Sequence, residues 1–172
     1  MKLLFLWVYL LCFQSFSAAA NDFTPLIEAV RKKETSPYAI EALIKKGVYL
    51  GEKDENGRTV LMLAAIHHPV DTVHSILIQN GADINARTPD TGQTALFFAV
   101  QYNTPAVVLV LLSNGADPEI KDVFGRTAYD YADRNPKIKD NDILKLFPQY
   151  KEHHAKGKDA ASSSPSETEA SR

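Results

Sequence analysis

The chain alternates short apolar stretches with polar stretches that contain glycine and proline. The apolar stretches include Val60–Ile66, Ala95–Val100 and Val107–Leu112. The last is rich in β-branched residues, and taken alone it would fit a buried strand as well as a helix. Its position between Pro105 and Gly115 favours a helix, because proline suits a first helical turn and glycine a helix end. We therefore predict pairs of short helices, with the second helix of each pair buried between neighbouring pairs.

Small residues and helix-ending residues recur along the chain at nearly constant intervals. Threonines lie 35, 35 and 33 residues apart, at Thr24, Thr59, Thr94 and Thr127, and alanines keep the same register at Ala29, Ala64, Ala99 and Ala132. Glycines form two sets, one at Gly47, Gly81 and Gly115 and one at Gly57, Gly92 and Gly125, and prolines recur at Pro37, Pro69, Pro105 and Pro136. Several sets with one period indicate a repeat protein.

Each set has a physical role in a repeated helix pair. A threonine before an apolar stretch can cap the first helix by accepting a backbone N–H. The glycine after the second helix, and the glycine two residues before the threonine, can adopt the positive φ that a helix end or a tight hairpin turn requires. The prolines are predicted to lie in the first turn of the second helix.

These motifs closely resemble those of the ankyrin-repeat family. The second unit reads G-R-T-V-L-M-L-A-A and ends G-A-D-I-N-A, and the third reads G-Q-T-A-L-F-F-A-V and ends G-A-D-P-E-I. The resemblance implies an all-α solenoid, a stack of helix-turn-helix units joined by β-hairpin loops. The T-P-L-H core of the family is complete nowhere, and one extra residue lies in the hairpin between Gly81 and Thr94.

The repeats define the predicted domain boundaries. We expect an ankyrin-repeat domain over residues 21–150, with two full repeats at about 54–87 and 89–121 and capping units at about 22–53 and 122–147. End units face water on one side and should be more polar than their neighbours. The charged residues that fit this role are Arg31, Lys32, Lys33 and Glu34 in the first unit and Lys137, Lys139, Asp140 and Asp142 in the last.

Residues 1–20 have the pattern of a signal peptide, with Lys2, the apolar stretch Leu3–Phe13 and small residues up to Ala20. We expect cleavage near Ala20. An uncleaved anchor is the alternative, although the apolar stretch is about half the ~20 residues that span a bilayer. In a lipoprotein, Cys12 would be the lipidated first residue of the mature chain. The residue before it, Leu11, is larger than the small residue that usually precedes such a cysteine. Small signal-bearing ankyrin-repeat proteins of Gram-negative bacteria resemble this arrangement.

Composition and charge narrow the function. The mature chain would lack cysteine and therefore disulfides, and removal of Lys2 leaves 19 − 1 = 18 basic residues against 21 acidic ones. A mildly acidic protein is a poor general binder of nucleic acid or of an anionic membrane. Residues 151–172 are poor in large apolar groups and are predicted to form a disordered tail.

In the ankyrin family, partners usually contact the hairpin tips and the first helices, so the resemblance implies a protein-binding surface. The corresponding positions are Lys53, Glu55, Asn56, Arg58, Ile66, His67, Arg87, Asp90, Thr91, Gln93, Gln101, Tyr102, Lys121, Val123, Phe124, Arg126 and Arg134. Val123, Phe124 and Tyr102 are candidate anchors of an interface. The alternative for Phe124 is that it folds back onto the neighbouring hairpin.

The same set carries more positive than negative charge. Six cations, Lys53, Arg58, Arg87, Lys121, Arg126 and Arg134, stand against Glu55 and Asp90. Such a surface would favour an acidic segment of a partner. Solvated charges with no partner are the alternative.

Catalytic and metal-binding roles find little support. His67, His68 and His74 cluster, but beyond Asp71 no acidic pair completes a ligand set, and no nucleotide, hydrolase or metalloprotease motif is present. Asp130 and Asp133 are expected to be solvated or to cap a helix. We predict no catalytic residue, no cofactor and no metal.

The sequence therefore predicts an exported, periplasmic or secreted ankyrin-repeat scaffold that supports or regulates a periplasmic protein, with a monomer favoured. One alternative is a secreted effector that binds a host protein through the same surface. An enzyme or a metal-binding protein is the alternative from another class.

Overall fold

Short helices in consecutive pairs make up the structure. The computed structural model describes residues 25–139 and 142–150. Within these ranges the helices are α1 (Pro25–Arg31), α2 (Pro37–Lys45), α3 (Val60–His67), α4 (Asp71–Gln79), α5 (Ala95–Tyr102), α6 (Pro105–Ser113), α7 (Ala128–Ala132) and α8 (Pro136–Lys139), followed by a 3-10 helix at Asp142–Leu146. The described residues form no strand, and a single antiparallel bridge pairs Lys53 with Thr59.

The helices stack in two layers. The first helices of the pairs contact one another in the order α1, α3, α5, α7, and the second helices in the order α2, α4, α6, with the 3-10 helix against α6. Each pair thus buries its apolar residues against the next pair. The predicted all-α stack of helix pairs is confirmed.

Burial differs between the two layers. Every residue of Val60–Ala65 in α3 and of Ala95–Val100 in α5 is buried, as expected for helices that are apolar on all sides. Helix α6 buries Val107, Val108 and Leu111 but exposes Leu109. The prediction that the second helices are the buried ones is therefore only half right, because they form the outer layer and bury one face.

The predicted threonine caps are present in one of the three described pairs. Thr59 Oγ1 accepts from Met62 N at 3.4 Å. Thr94 makes no such bond, and Thr127 instead donates its hydroxyl and its N–H to the Asp130 carboxylate at 2.9 and 2.7 Å. Asp130 is thus a capping residue, as predicted, because its carboxylate accepts from the N–H of the residue that precedes the helix.

Three of the four prolines lie where they were predicted. Pro37, Pro105 and Pro136 are the first residues of α2, α6 and α8. Pro69 lies two residues before α4, and that prediction is wrong. Both backbone groups of Val70 are bound by histidine rings, the N–H by His68 at 3.4 Å and the carbonyl by His74 at 3.1 Å. These bonds hold Val70 extended, so the helix begins after it.

The glycines adopt the predicted conformations. Gly57, at a hairpin turn, has φ of 70°, in the left-handed region that side chains disfavour. A Cβ at this position would also approach Pro89 Cδ to 2.5 Å. Glycine is therefore required here both by the turn and by the packing of one hairpin against the next.

Several predictions concern residues outside the described ranges. They are the signal peptide at residues 1–20, the tail at residues 151–172, Cys12, the Thr24 cap and Asp140. Among the described residues, no helix is both long enough and apolar enough to span a bilayer.

Candidate protein-binding surface

The hairpin loop before α3 is closed by a buried carboxylate. Asp54 accepts hydrogen bonds from Asn56 N at 3.0 Å and from Arg58 N at 2.9 Å, and Arg58 Nη2 lies 2.7 Å from Asp54 Oδ2. Burial by itself would raise the pKa of Asp54, but the Arg58 guanidinium and these backbone N–H groups outweigh it and hold the pKa below its usual value. Arg58 is thus part of the loop's own structure.

The hairpin loop before α7 repeats this arrangement. Asp122 accepts from Phe124 N and Arg126 N, both at 2.9 Å, and Arg126 Nη2 lies 3.2 Å from Asp122 Oδ2. Tyr131 also donates its hydroxyl to Asp122 at 2.7 Å. Burial would raise the pKa of Asp122, but the Tyr131 hydroxyl and the two N–H groups lower it below the usual value. Asp122 therefore fixes the loop by binding both the loop's own N–H groups and the Tyr131 side chain of α7.

The hairpin loop before α5 contains the extra residue and uses a hydroxyl in place of the carboxylate. Thr88 Oγ1 accepts from Gln93 N at 3.1 Å, and Thr88 N donates to the Gln93 carbonyl at 3.0 Å. Arg87 donates to the Gly92 carbonyl at 3.1 Å and to the Lys121 carbonyl of the next hairpin at 2.7 Å. Arg87 thus links two hairpins through their backbones.

The predicted cations accordingly fall into two groups. Arg58, Arg87 and Arg126 are bound by carboxylates or carbonyls of the protein itself. Lys53, Lys121 and Arg134 are exposed and make no ion pair with any described residue. The charge count along the surface left out Asp54 and Asp122, although each stands four residues before its arginine in the same pattern, D-E-N-G-R and D-V-F-G-R, and this repeat could have identified the pairs.

The tip of the last hairpin exposes two apolar side chains. Phe124 is 69% exposed and Val123 is 59% exposed. The Arg126 guanidinium lies 4.7 Å from the centre of the Phe124 ring and 4.6 Å from that of Tyr131. Val123 N also donates to the Thr91 carbonyl of the preceding hairpin at 2.9 Å. Phe124 therefore does not fold back but stays in solvent on a backbone held by its neighbours.

The polar residues of the predicted set lie between the second and third units. Asn56, Arg58, Thr88, Asp90, Thr91, Gln93 and Phe98 line a cleft of about 260 Å³. Asp90 accepts from Thr91 N at 2.6 Å, which lowers the pKa of its carboxyl. Glu55 lies 3.6 Å from the Arg31 guanidinium. These residues form one continuous surface with the hairpin tips, which we call the hairpin end.

Five predicted residues lie at the other end of the first helices, and one of them, the exposed Arg134, follows α7. Ile66 and His67 end α3, and Gln101 and Tyr102 end α5. An eight-residue helix is about 12 Å long, so these residues are separated from the hairpin tips by that length. Gln101 donates to the Phe97 carbonyl at 3.0 Å, whereas Tyr102 is 58% exposed. We call this region, where first helices turn into second helices, the turn end.

A row of side-chain hydrogen bonds connects the four units at the turn end. His68 Nε2 lies 3.0 Å from the Thr35 carbonyl of the unit before it. Asn103 donates to the carbonyls of Ala65 and His68, both at 3.0 Å, and Asn135 donates to the Val100 carbonyl at 2.6 Å. The sequence analysis missed this row, although His68, Asn103 and Asn135 occupy similar positions after the first helices.

The histidine cluster is structural. His68 and His74 are both fully buried, and each ring binds a backbone group of Val70. Burial lowers the pKa of His74 to about 4, so the ring is neutral near pH 7. Among the described residues, no group of three or more His, Cys, Asp and Glu side chains is placed to hold a metal ion.

Comparisons with known proteins identify the repeats. The model of the family of ankyrin repeats (3 copies) matches residues 26–122 and 68–153. An ankyrin repeat-containing protein of Treponema pallidum (strain Nichols) is 30% identical over 119 residues, which are 68% of this chain and 39% of that protein.

Other relatives come from distant organisms. BRCA1-associated RING domain protein 1 of Caenorhabditis elegans is 34% identical over 100 residues, 58% of this chain. Zygote-specific protein 3 of Chlamydomonas reinhardtii is 33% identical over 112 residues, 65% of this chain. The chain spans 14% and 29% of the lengths of these two proteins. What they share with it is therefore the repeats.

Proposed function

This chain belongs to the ankyrin-repeat family, a non-catalytic fold that serves protein–protein interaction, and we propose that it is an exported scaffold that supports or regulates a periplasmic protein. Its hairpin end would be the primary contact surface. The observation that carries this proposal is the exposed Phe124, stacked on Arg126 over a loop that Asp122 closes.

A rigid, exposed aromatic residue is suited to anchor an interface. Truncation studies of interfaces find most of the binding energy in a few residues, among which Trp, Tyr and Arg are enriched. Phe124 and Arg126 meet this description together, because the guanidinium covers one part of the ring and leaves the remainder to a partner. The loop is already ordered by Asp122, so binding costs little conformational entropy there.

The neighbouring hairpins extend this contact surface. The cleft between the second and third units offers hydroxyl, amide and carboxylate groups that can fix the orientation of a partner. Lys53 and Lys121, which make no ion pair with a described residue, would favour a partner with an acidic surface and speed its association.

Export rests on the leader pattern of residues 1–20. Fractionation of expressing bacteria into periplasm and medium distinguishes a periplasmic role from the alternative, a secreted effector. Recovery of processed protein in the periplasm supports the proposal. Recovery of unprocessed protein in the cytoplasm contradicts the export part of it.

Capture of partners by the exported chain tests the interaction itself. The tagged chain is cross-linked in the exporting cell, and bound proteins are identified and quantified for the wild type and for Phe124→Ala. We expect the captured partner to fall about tenfold or more, as for an interface anchor. Tyr38→Ala is the matched control, because Tyr38 is an exposed aromatic residue on α2, away from the hairpin end. Equal capture by the wild type and both variants would reject the hairpin end as the contact surface.

A further inference from the structure

A pocket of about 500 Å³ lies at the turn end, away from the hairpin tips. It is lined by Lys33, Ile66, His67, Pro69, Tyr102, Asn103, Thr104, Pro105 and Lys137. These residues come from all four helix pairs, so the pocket crosses the whole stack. Its volume lies in the range of sites that take a ligand.

The wall of this turn pocket is fixed by the hydrogen bonds that connect the units. Asn103 lines the pocket, and its amide donates to the carbonyls of Ala65 and His68 while its oxygen accepts from Thr104 N at 2.9 Å. His68 in turn contacts the Thr35 carbonyl just after Lys33 and Glu34. A site held in this way is formed before a ligand arrives, which lowers the entropic cost of binding.

The charge of the turn pocket is positive. None of its lining residues is acidic, and Lys33 and Lys137 make no ion pair with any other residue in the ranges that the structure describes. The pKa of His67 is lowered by burial and by the nearby cations Arg31, Arg58 and Lys33. His67 therefore stays neutral near pH 7 and adds no charge of its own to the pocket.

The middle of the turn pocket is apolar. Tyr102 is an exposed ring between the two lysines, and the half-buried Ile66 and the two prolines complete the floor. A ligand that complements this arrangement carries a negative charge at each end and an apolar group between them.

We propose that the turn pocket binds an extended acidic peptide segment of the partner protein, with carboxylates at Lys33 and Lys137 and an apolar side chain against Tyr102. This inference rests on the proposed function and places the acidic recognition at Lys33 and Lys137. The sequence instead predicted it at six other cations, Lys53, Arg58, Arg87, Lys121, Arg126 and Arg134. Stacked helices lie about 8 to 10 Å apart, so the backbones of Lys33 and Lys137 are roughly 25 Å apart. An extended segment of about eight residues, at ~3.3 Å each, spans that distance, and a small anion does not.

Selection from a random library of displayed twelve-residue peptides tests this inference on the full chain. We expect the selected peptides to carry Asp or Glu on both sides of an apolar residue. A synthetic peptide of that consensus should bind the double variant Lys33→Gln, Lys137→Gln about tenfold more weakly than the wild type, because two charge pairs are lost. The matched control is Lys46→Gln, Lys145→Gln, which removes two exposed lysine charges outside both proposed contact surfaces and should change the affinity less than about twofold.

The following outcomes would overturn the inference. Selected peptides without acidic residues, failure to select any peptide, or equal affinity for the pocket variant and the wild type would reject it. Displacement of the peptide by millimolar citrate would show that an isolated anion suffices. Unchanged melting temperatures show that the lysine variants remain folded.

The two proposals can fail separately. The selected peptides could bind Phe124→Ala more weakly but bind the Lys33→Gln, Lys137→Gln variant as tightly as the wild type. That result would show that the hairpin end binds the acidic segment, and it would leave the proposed function intact. Peptides that depend on Lys33 and Lys137, together with capture of the partner that does not depend on Phe124, would support the turn pocket and reject the hairpin end.

Discussion

The two ends of the first helices use their positive charges differently. At the hairpin end, Arg58 and Arg126 bind the buried carboxylates of Asp54 and Asp122 and so close the loops, and Lys53 and Lys121 beside them make no ion pair with a described residue. At the turn end, neutral side chains such as Asn103 connect the units, and Lys33 and Lys137 make no ion pair with a described residue. The comparison teaches that a count of charges along a surface does not identify the charges available to a partner.

The different chemistry of arginine and lysine explains why Arg58 and Arg126 form ion pairs within the protein and the lysines at the two ends do not. Arginine offers several N–H donors in a plane and can bind a carboxylate while it stacks on an aromatic ring, as Arg126 does on Phe124 and Tyr131. Lysine is a strongly hydrated point charge on a flexible stem. An exposed lysine adds little to the stability of the fold and can bind a carboxylate of a partner protein.

The largest expected effect is in the core that the two ends share. Leu111 in α6 is fully buried, so Leu111→Ala should lower the free energy of unfolding by about 2 to 5 kcal/mol through the cavity it leaves. Denaturant unfolding followed by circular dichroism measures this loss. A loss below ~1 kcal/mol would contradict the burial of Leu111 in a packed core.

Acid should weaken the turn end before the hairpin end. The pKa of His74 is about 4 in the folded protein, against 6.5 for an ordinary histidine. The unfolded chain therefore takes up a proton first, and stability that is complete above pH 6.5 is lost as the pH falls to about 4. The loss amounts to about 3 kcal/mol, and His67, whose pKa is also lowered, adds to it in the same direction.

The same acidification affects the hairpin carboxylates less, because hydrogen bonds and the arginines hold the pKa values of Asp54 and Asp122 below the usual value. Hydrogen exchange between pH 7 and pH 4, corrected for the intrinsic rate, should show α4 losing protection before the hairpin loops. His74→Gln, which does not titrate, should remove most of the pH dependence. An equal pH dependence in that variant would show that other groups cause it.

Loss of a loop carboxylate should cost about 2 to 3 kcal/mol, because it leaves two backbone N–H groups and the Tyr131 hydroxyl without their acceptor. Asp122→Ala tests this by thermal unfolding. Lys137→Ala, the matched change of a charge at the turn end, should shift stability by less than ~0.5 kcal/mol. Similar losses of stability in the two variants would contradict the distinction between charges that stabilise the fold and charges that can bind a partner.

The smallest effects on stability are expected at the exposed aromatic residues. Phe124→Ala and Tyr102→Ala should each change the free energy of unfolding by less than ~0.5 kcal/mol and leave helicity unaltered, since both rings face solvent. Partner capture should fall in both. A loss of stability above ~2 kcal/mol in either variant would mark that ring as part of the core, not of a binding surface.

The repeated motifs predicted much of the architecture because they act locally. The glycines adopt positive φ at the predicted turns, and Pro105 begins α6 in spite of the β-branched residues that follow it. The wrong placement of Pro69 depended on side-chain contacts within its own unit. Pro69 lies outside α4 because the rings of His68 and His74 hold Val70, a contact that no spacing rule contains.

The sequence by itself determined the fold class, the number of helix pairs and the position of the hairpin tips, because propensity, capping and turn chemistry depend on neighbouring residues. Only the tertiary structure decided which charges are buried in pairs and which stay exposed. Asp54 and Arg58 meet because a tight loop brings them together in a buried site, and Lys33 and Lys137 share a pocket because four units stack. The four-residue spacing of the loop pairs is visible in the sequence, but the burial of their carboxylates and the distances across the stack arise only in the folded chain.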